Sequence, residues 1–237
     1  MKCTMESSSE VQRIRSVYHE YACHGLGNSK WSSSNPGNEA IIRERNQKIL
    51  DFLLNAGFLP LSERRILDVG CGTGGVLAMF NEWGAKPNNL FGVDLLPERV
   101  QRAQAKYPDF SFQLANAESL PFTDGNFDLV VLFTVFTSIL DPSMATNIAR
   151  EIARILRRAG AILWYDFRFN NPFNPHVRGA TKKSILQLFP GFDLHLKPIT
   201  LLPPLARRMG RMTDFFYPPL ARLPFLRTHY LGLLRKS

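Results

Sequence analysis

Short apolar runs alternate with longer amphipathic segments along most of the chain. Apolar runs bounded by turn residues are typical of buried strands, and apolar residues at helical spacing are typical of helices packed on a sheet. Because helical segments separate most of the first five runs, we expect an α/β fold with a doubly wound, mostly parallel sheet. The seven predicted strands are 66–69, 89–96, 110–114, 127–133, 161–167, 193–201 and 229–235.

Two amphipathic segments precede the first strand. Residues 11–23 and 39–57 carry apolar side chains at helical spacing, and between them a polar loop contains the turn signature Asn35-Pro36-Gly37. Later in the chain, Asp141 and Pro142 predict a helix start, and Arg157-Arg158-Ala159-Gly160 predicts the end of the same helix. We also expect a helix at 183–189.

A glycine-rich turn follows the first strand, in the stretch Ile66-Leu67-Asp68-Val69-Gly70-Cys71-Gly72-Thr73-Gly74-Gly75. Glycine allows a sharp turn and a close approach of the backbone to a ligand, and the amides of the following helix would face that ligand. We expect Thr73 to cap this helix. The second strand ends in Asp94, whose carboxylate is 24 residues beyond Gly70 and can accept both hydroxyls of a ribose.

Gly70, Gly72 and Gly75 also satisfy the glycine pattern of a dinucleotide site, so an NAD(P)-dependent oxidoreductase remains an alternative. The carboxylate of Asp68, two residues before the first glycine, suits the ammonium group of an amino acid better than a pyrophosphate. Asp68 therefore favours a cofactor that contains an amino acid.

The last third of the chain is basic, with 16 Lys or Arg against 5 Asp or Glu from residue 141 onward. Within it, residues 203–224 interleave large apolar side chains with arginines between the last two strands. We expect this insert to form a helical lid over an apolar acceptor pocket and to contact an anionic membrane surface. The alternative is that Leu205, Met209, Phe215, Phe216 and Leu220 only cover the edge of the sheet.

Composition and length indicate one domain. The 237 residues are enough for a single α/β core, which we divide into an N-terminal helical cap at 1–60, the core at 61–202, the lid insert at 203–224 and the last strand at 225–237. The three cysteines are far apart and form neither a disulfide framework nor a metal pattern. No signal peptide or long apolar run is evident, so we expect a soluble, cytoplasmic protein without a metal site.

The order of these motifs resembles the class I S-adenosylmethionine-dependent methyltransferases, specifically their small-molecule branch. The glycine turn, the acid-ended second strand, Ala117-Glu118-Ser119-Leu120-Pro121-Phe122, Phe127-Asp128-Leu129-Val130-Val131 and Gly160 before the fifth strand carry the resemblance, from about Arg64 to Phe167. It implies a Rossmann-like fold, S-adenosylmethionine as cofactor and a small-molecule methyl acceptor. It also implies that the N-terminal helices cover the cofactor.

The resemblance assigns roles to residues of this sequence. Asp68 would contact the methionine ammonium, Gly70 and Gly72 would line the methionine, and Asp94 would bind the ribose. Leu95 would pack on the adenine, Asn116 and Ala117 would meet its amino edge, and Leu132 and Phe133 would form the cofactor wall. The sequence departs from the family at Asn116, where Asp is common, and at Leu132-Phe133-Thr134, where a polar candidate base is often found.

The acceptor side is less defined. We predict His176 as a general base oriented by Asp166, with Arg178 holding an anionic group and Trp31 and Tyr165 lining the acceptor pocket. Because the polar residues after the fourth strand are missing, a cofactor-binding module without catalysis remains an alternative. We do not expect a nucleic-acid substrate, since Asn171-Pro172-Phe173 follows the fifth strand whereas the corresponding nucleic-acid methyltransferase motif follows the fourth.

Overall fold

The computed structural model describes residues 9–23 and 34–236. Its sheet has seven strands in the order β3-β2-β1-β4-β5-β7-β6. Strands β1 to β5 pair in parallel, whereas β7 is antiparallel to both β5 and β6. The predicted α/β fold with a mostly parallel sheet is therefore confirmed. Trp31 and Cys3 lie outside the described residues.

The strands follow the predicted apolar runs closely. They are β1 (Ile66–Val69), β2 (Leu90–Asp94), β3 (Ser111–Leu114), β4 (Phe127–Phe133), β5 (Leu156–Phe167), β6 (Phe192–Leu201) and β7 (Arg227–Lys236). The helices are α1 (Ser9–Cys23), α2 (Pro36–Asn55), α3 (Gly75–Glu82), α4 (Pro97–Lys106), α5 (Pro142–Ile155), α6 (Lys182–Leu188), α7 (Pro203–Arg208) and α8 (Thr213–Leu220).

Side chains of the central strands alternate between two apolar clusters because successive residues of a strand point to opposite faces. In β5, Ile162 and Trp164 join the cluster that contains residues of α1, α5 and α6. Leu163 and Tyr165 join the cluster that contains residues of α2, α3 and α4. Helices thus cover both faces of the sheet, and the carboxyl edge of its parallel strands remains available for a site.

Three predicted helix boundaries were wrong. The turn signature at Asn35 is the start of α2, because the Asn35 side chain accepts from the amides of Gly37 and Asn38. Thr73 does not cap α3: the N-cap is Gly74, which has a left-handed conformation and no side-chain cap bond. Helix α5 ends at Ile155, and Arg157 lies in β5, where its guanidinium forms a 2.7 Å ion pair with Asp128.

The insert between β6 and β7 is helical, as predicted, and packs on α2. Ala206 and Tyr217 are buried against Ala40 and Ile41, and the Tyr217 hydroxyl donates to Glu44 at 2.8 Å. Gly37 permits this packing, since a Cβ there would overlap the backbone of Ala206. Leu205, Met209 and Leu220 pack on the same cluster, whereas Phe215 and Phe216 are exposed and do not cover the sheet.

The proline pairs of the insert act differently from one another. Pro203 and Pro204 begin α7, where the first turn tolerates proline, whereas α8 continues through Pro218 and Pro219. None of the helices in the described residues is both long and apolar enough to cross a membrane.

Candidate cofactor site

A cavity of about 140 Å³ lies at the carboxyl ends of β1, β2 and β4. That volume is far larger than the space needed for one water molecule, roughly 10–15 Å³, so the cavity can accept part of a ligand. Ligands of open α/β sheets bind at this edge. Its wall includes Ile14, Tyr18, Gly70, Asp94, Leu95, Arg99, Asn116, Ala117, Phe133, Val135, Met144 and Ile148.

The glycine turn forms one end of the cavity. Gly70, Gly72 and Gly74 have φ values of 75°, 54° and 82°, a region that side chains other than glycine rarely adopt. The amides of Gly70 and Cys71 both donate to the Val93 carbonyl, which joins the turn to β2. A Cβ on Gly70 would lie 3.1 Å from Val135 Cγ2, so glycine also keeps this passage open.

The carboxylate of Asp94 holds the turn from the end of β2. Its Oδ2 accepts from the Gly72 amide at 2.8 Å, and its Oδ1 accepts from the Leu96 amide at 2.9 Å. Each carboxylate oxygen can accept more than one hydrogen bond, and Asp94 also lines the cavity. Asp94 is therefore placed both to shape the turn and to accept from the hydroxyls of a bound ribose.

Asp68 is a buried carboxylate that is incompletely paired. Its Oδ2 has no hydrogen-bond partner among the described residues. Burial, together with the nearby Asp94 carboxylate, raises the pKa of Asp68 well above its ordinary value. An unpaired buried polar atom is costly, and an ammonium group reached through water would supply the missing partner and favour the ionised form. Asp68 thus fits a cofactor with an amino-acid end, although it does not itself line the cavity.

The wall of the cavity also includes Leu95, Asn116 and Ala117, which the resemblance assigned to an adenine pocket. Asn116 is fixed by Glu118, because its Oδ1 accepts from the Glu118 amide and its Nδ2 donates to Glu118 Oε2, both at 3.1 Å. Phe133 lines the cavity beside the glycine turn. Leu132 is buried in the core, and neither it nor Gly72 contributes to the cavity wall.

Helix α1 closes the cavity through Ile14 and Tyr18, which were not among the predicted site residues. Their spacing of four residues on an amphipathic helix indicated a buried face but not what it faces. The guanidinium of Arg99, at the start of α4, lies 4.4 Å from the Tyr18 ring centroid. The Tyr18 hydroxyl is also 2.9 Å from Ser138 Oγ, so the ring is held over the cavity.

A buried carboxylate anchors the start of α1. Glu10 Oε1 accepts from the Leu140 amide at 2.6 Å, and the Arg13 side chain donates to both Glu10 oxygens. Arg13 also donates to the Ser138 carbonyl. The hydrogen bonds from Arg13, helped by those from Leu140 and Asp141, lower the pKa of Glu10 to about 2 against the cost of burial.

The predicted catalytic pair does not form. Asp166 is buried, and its oxygens accept from the Thr137 hydroxyl at 2.7 Å, the Thr137 amide at 3.1 Å and the Phe167 amide at 2.8 Å. Burial nevertheless raises the pKa of Asp166 to about 7. Among the described residues no hydrogen bond joins His176 to Asp166, so the prediction that Asp166 orients His176 was wrong. Tyr165 is likewise buried, with its hydroxyl bonded to Thr200.

His176 lies in a smaller pocket of about 30 Å³ beside the cavity. The two spaces share Ile14, Tyr18 and Ser138 in their walls. The His176 amide donates to Asn174 Oδ1, and Asn174 in turn contacts the Tyr21 hydroxyl of α1. His176 is therefore separated from the cofactor cavity by α1 side chains.

Comparisons with known proteins agree with this geometry. Residues 66–160 match the family model described as a methyltransferase domain. A SAM-dependent methyltransferase from Methanosarcina mazei superposes with a TM-score of 0.58 at 19% identity, covering 77% of this chain and 96% of that one. At this identity the likeness shows the fold, which is that of Rossmann-like methyltransferase domains.

Two curated relatives show the sequence similarity. A phthiotriol/phenolphthiotriol dimycocerosates methyltransferase from Mycobacterium ulcerans is 28% identical over 177 residues, which is 70% of this chain and 64% of that protein. A sterol 4-C-methyltransferase from Caenorhabditis elegans is 29% identical over 123 residues, or 49% of this chain and 35% of that protein. The chain thus covers less than two thirds of either relative.

The fold and the site define a Rossmann-like domain whose cavity, at the carboxyl edge of the sheet, fits a nucleoside-containing cofactor. Together with the methyltransferase-domain match over residues 66–160, these findings support a class I S-adenosylmethionine-dependent methyltransferase. Methyltransferases of this class use S-adenosylmethionine as the cofactor, and the residues described above fit it.

Proposed function

We propose that the protein transfers a methyl group from S-adenosylmethionine to a small, apolar acceptor, either free or linked to a glycan or lipid. The observation that carries this proposal is that one cavity joins the glycine turn, the Asp94 carboxylate and the Asn116 amide. In the class I methyltransferases that the sequence resembles, the corresponding features would meet the methionine, the ribose and the adenine, which supports the proposal.

Each part of the site has a separate task. When bound, S-adenosylmethionine supplies an electrophilic methyl group on a sulfonium. Asp94 would accept from the ribose hydroxyls while it holds the Gly72 amide, and Asp68 would stabilise the ammonium group. Phe133 and Val135 would exclude water next to the glycine turn. Positioning the acceptor against the methyl group can by itself supply roughly 7 to 11 kcal/mol of the barrier.

The acceptor class follows from the walls of the site and from the relatives. Ile14, Tyr18, Val135 and Ile139 make the outer part of the cavity apolar. The curated relatives are named for sterol and phthiotriol dimycocerosate substrates. Both names describe hydrophobic acceptors, which supports an apolar alcohol or a lipid-like molecule as the acceptor here.

His176 is proposed as a base only for acceptors that must lose a proton from a hydroxyl group. Its pocket adjoins the cofactor cavity through Tyr18 and Ser138, and a shift of α1 would bring the two spaces together. Replacing His176 by Gln should then lower kcat for an alcohol acceptor and alter its pH profile, with S-adenosylhomocysteine affinity unchanged. An unaltered profile would exclude the role of His176 as a base.

Calorimetric titration is the direct test of the cofactor. S-adenosylhomocysteine should bind, whereas NADH and NADPH should not. Binding of a nicotinamide cofactor without binding of S-adenosylhomocysteine would overturn the proposal in favour of an oxidoreductase. Incubation with methyl-labelled S-adenosylmethionine and fractionated sterols and lipids should then give a labelled product.

A cofactor-binding module without catalysis is the second candidate. The wall at the end of β4 favours it, because Phe133 and Val135 contribute apolar side chains to the cavity and Thr134 is the only polar residue between them. The labelling experiment separates the two functions. A labelled product that disappears in an Asp94→Ala variant excludes the inactive module, and tight S-adenosylhomocysteine binding with no product from any lipid fraction supports it.

A further inference from the structure

Two neighbouring segments expose most of the large apolar side chains on the described surface. We define the aromatic-arginine surface as residues 168–173, which follow β5, together with residues 202–226, which connect β6 to β7. It holds eight of the twelve exposed large apolar side chains found among the described residues. The most prominent are Phe173, Phe215 and Phe225, which are 94%, 71% and 73% exposed.

The two segments form one surface. The side chain of Arg168 donates to the Pro224 carbonyl at 3.3 Å, and the Arg168 amide donates to the Thr228 carbonyl at 3.0 Å. The Leu202 amide donates to the Leu226 carbonyl, which closes the base of the insert. These bonds keep Phe169 and Phe225 on adjoining parts of the molecule.

The topology places this surface at the carboxyl edge of the sheet. Strand β7 is antiparallel to both β5 and β6, so β5 and β6 run in the same direction. The segment that follows β5 and the insert that follows β6 therefore emerge at the same edge. Because β4 and β5 are parallel, this is also the edge that holds the cofactor cavity.

Packing of the insert does not account for these aromatic residues. The inner side of the insert buries Ala206, Tyr217 and Ala221 against α2, and it is fastened there by the bond from Tyr217 to Glu44. Phe215 and Phe216 lie on α8 as well but stay exposed and pack edge to face on one another, with ring centroids 5.0 Å apart. Their exposure costs solvation free energy and calls for a partner outside the chain.

Cationic groups surround the exposed rings. Arg208, Arg211 and Arg222 are exposed and have no ion pair within the described part of the chain. The one carboxylate of the insert, Asp214, is already paired with Arg43 at 2.9 Å. A surface of aromatic rings interspersed with unpaired arginines complements a layer that is apolar inside and anionic outside.

We propose that the aromatic-arginine surface docks reversibly on an anionic lipid bilayer, with the phenylalanines in the headgroup region and the arginines on lipid phosphates. This docking goes beyond methyl transfer and would bring the carboxyl edge of the sheet to the source of an apolar acceptor. Phenylalanine insertion and arginine attraction each supply part of the affinity, so neither alone should suffice.

Flotation with liposomes tests the proposal. The protein should bind vesicles of 70% phosphatidylcholine and 30% phosphatidylglycerol at 50 mM salt, bind less at 150 mM salt, and not bind pure phosphatidylcholine. The variant R208Q/R211Q/R222Q should lose roughly a hundredfold in partition coefficient. The variant F215S/F225S should lose binding to a similar extent, while circular dichroism melting confirms that both variants remain folded.

The matched control removes three cations from the opposite end of the sheet. Lys86, Arg102 and Lys106 are exposed near β2 and β3, so K86Q/R102Q/K106Q lowers the net charge equally without touching the surface. This variant should keep nearly all of its vesicle binding. If both triple variants lose vesicle binding to the same extent, binding depends only on net charge, and the proposal is overturned.

Other occupants of the surface give different results. If the wild-type protein binds no anionic vesicles at 50 mM salt or at 150 mM salt, membrane docking is overturned. A dimer in light scattering that F215S/F225S converts to monomer, without vesicle binding by the wild type, would assign the surface to a second copy of the chain. Titration with S-adenosylhomocysteine is independent of both outcomes, so failure of docking is distinguishable from failure of the proposed methyl transfer.

Discussion

At the scale of single residues, two carboxylates at neighbouring strand ends do different work. The sequence placed Asp68 and Asp94 at the carboxyl ends of strands, and the structure agrees. It could not show that Asp94 is bonded to the Gly72 and Leu96 amides, because those bonds depend on how β1 and β2 pair. Likewise, Asp166 was predicted to orient a catalytic His176. In the structure, the hydroxyl of the buried Thr137 donates a hydrogen bond to the Asp166 carboxylate instead.

Replacing Asp94 should weaken cofactor binding. Hydrogen bonds to a charged acceptor contribute roughly 1.5 to 3 kcal/mol each, so Asp94→Ala should raise the Kd of S-adenosylhomocysteine at least about tenfold. Calorimetric titration measures the change, and Asp109→Ala, at an exposed carboxylate after α4, is the matched control. Unchanged affinity in the Asp94 variant would mean that the ribose is held by other groups.

Asp68 should contribute to binding only of the amino-acid end of the cofactor. We expect Asp68→Asn to weaken S-adenosylhomocysteine binding by roughly ten- to a hundredfold, since the neutral amide loses the attraction to the ammonium group. Binding of 5′-methylthioadenosine, which lacks that group, should not change. The two titrations are compared in the same variant, and an equal loss for both ligands would show that Asp68 merely supports the glycine turn.

At the scale of elements, the amphipathic spacing of α1 predicted the helix but not the residues that it contacts. The sequence predicted a helix at 11–23 with a buried face, and the helix is present as Ser9–Cys23. Its contacts with the cavity depend on Glu10, one residue before the predicted start, and on partners 130 residues away. The same limit applies to the insert, whose helices were predicted but whose packing on α2 was not.

Glu10 should control how firmly α1 closes the cavity. Its pKa in the folded protein is about 2, below its ordinary value of 4.5. The stabilisation is therefore complete above about pH 4.5 and is lost as the pH falls toward 2. At pH 7, Glu10→Gln should lower hydrogen-exchange protection of the α1 amides by roughly ten- to a hundredfold.

Exposed Glu20 at the other end of α1 provides the control for this measurement. Glu20→Gln should leave the protection of α1 amides within about twofold of the wild type. If Glu10→Gln and Glu20→Gln give the same protection of the α1 amides, α1 is held by its apolar contacts rather than by the Glu10 carboxylate. Titration of S-adenosylhomocysteine into both variants would then show whether closure of α1 contributes to affinity.

At the scale of the whole molecule, the parallel half of the fold was predictable and the antiparallel end was less so. Crossover connections between β1 and β5, three of which contain an α-helix, leave few arrangements, because such connections are right-handed and keep strands parallel. Strands β6 and β7 are joined by the insert, whose length is compatible with several pairings. Placement of β7 between β5 and β6 follows from long-range pairing that no local pattern reveals.

The cavity collects side chains from Ile14 in α1 to Ile148 in α5, so cofactor binding should stabilise the entire domain. A ligand at a hundred times its Kd stabilises the native state by about 2.7 kcal/mol. For a domain of this size that corresponds to an increase in Tm of roughly 5 to 10 °C. Differential scanning fluorimetry with S-adenosylhomocysteine should show this shift, and NADH at the same concentration should not. The Asp94→Ala variant should need at least about ten times more ligand for the same shift. A shift confined to a minor early transition, with the main transition unmoved, would show that ligand binding stabilises α1 alone and not the sheet.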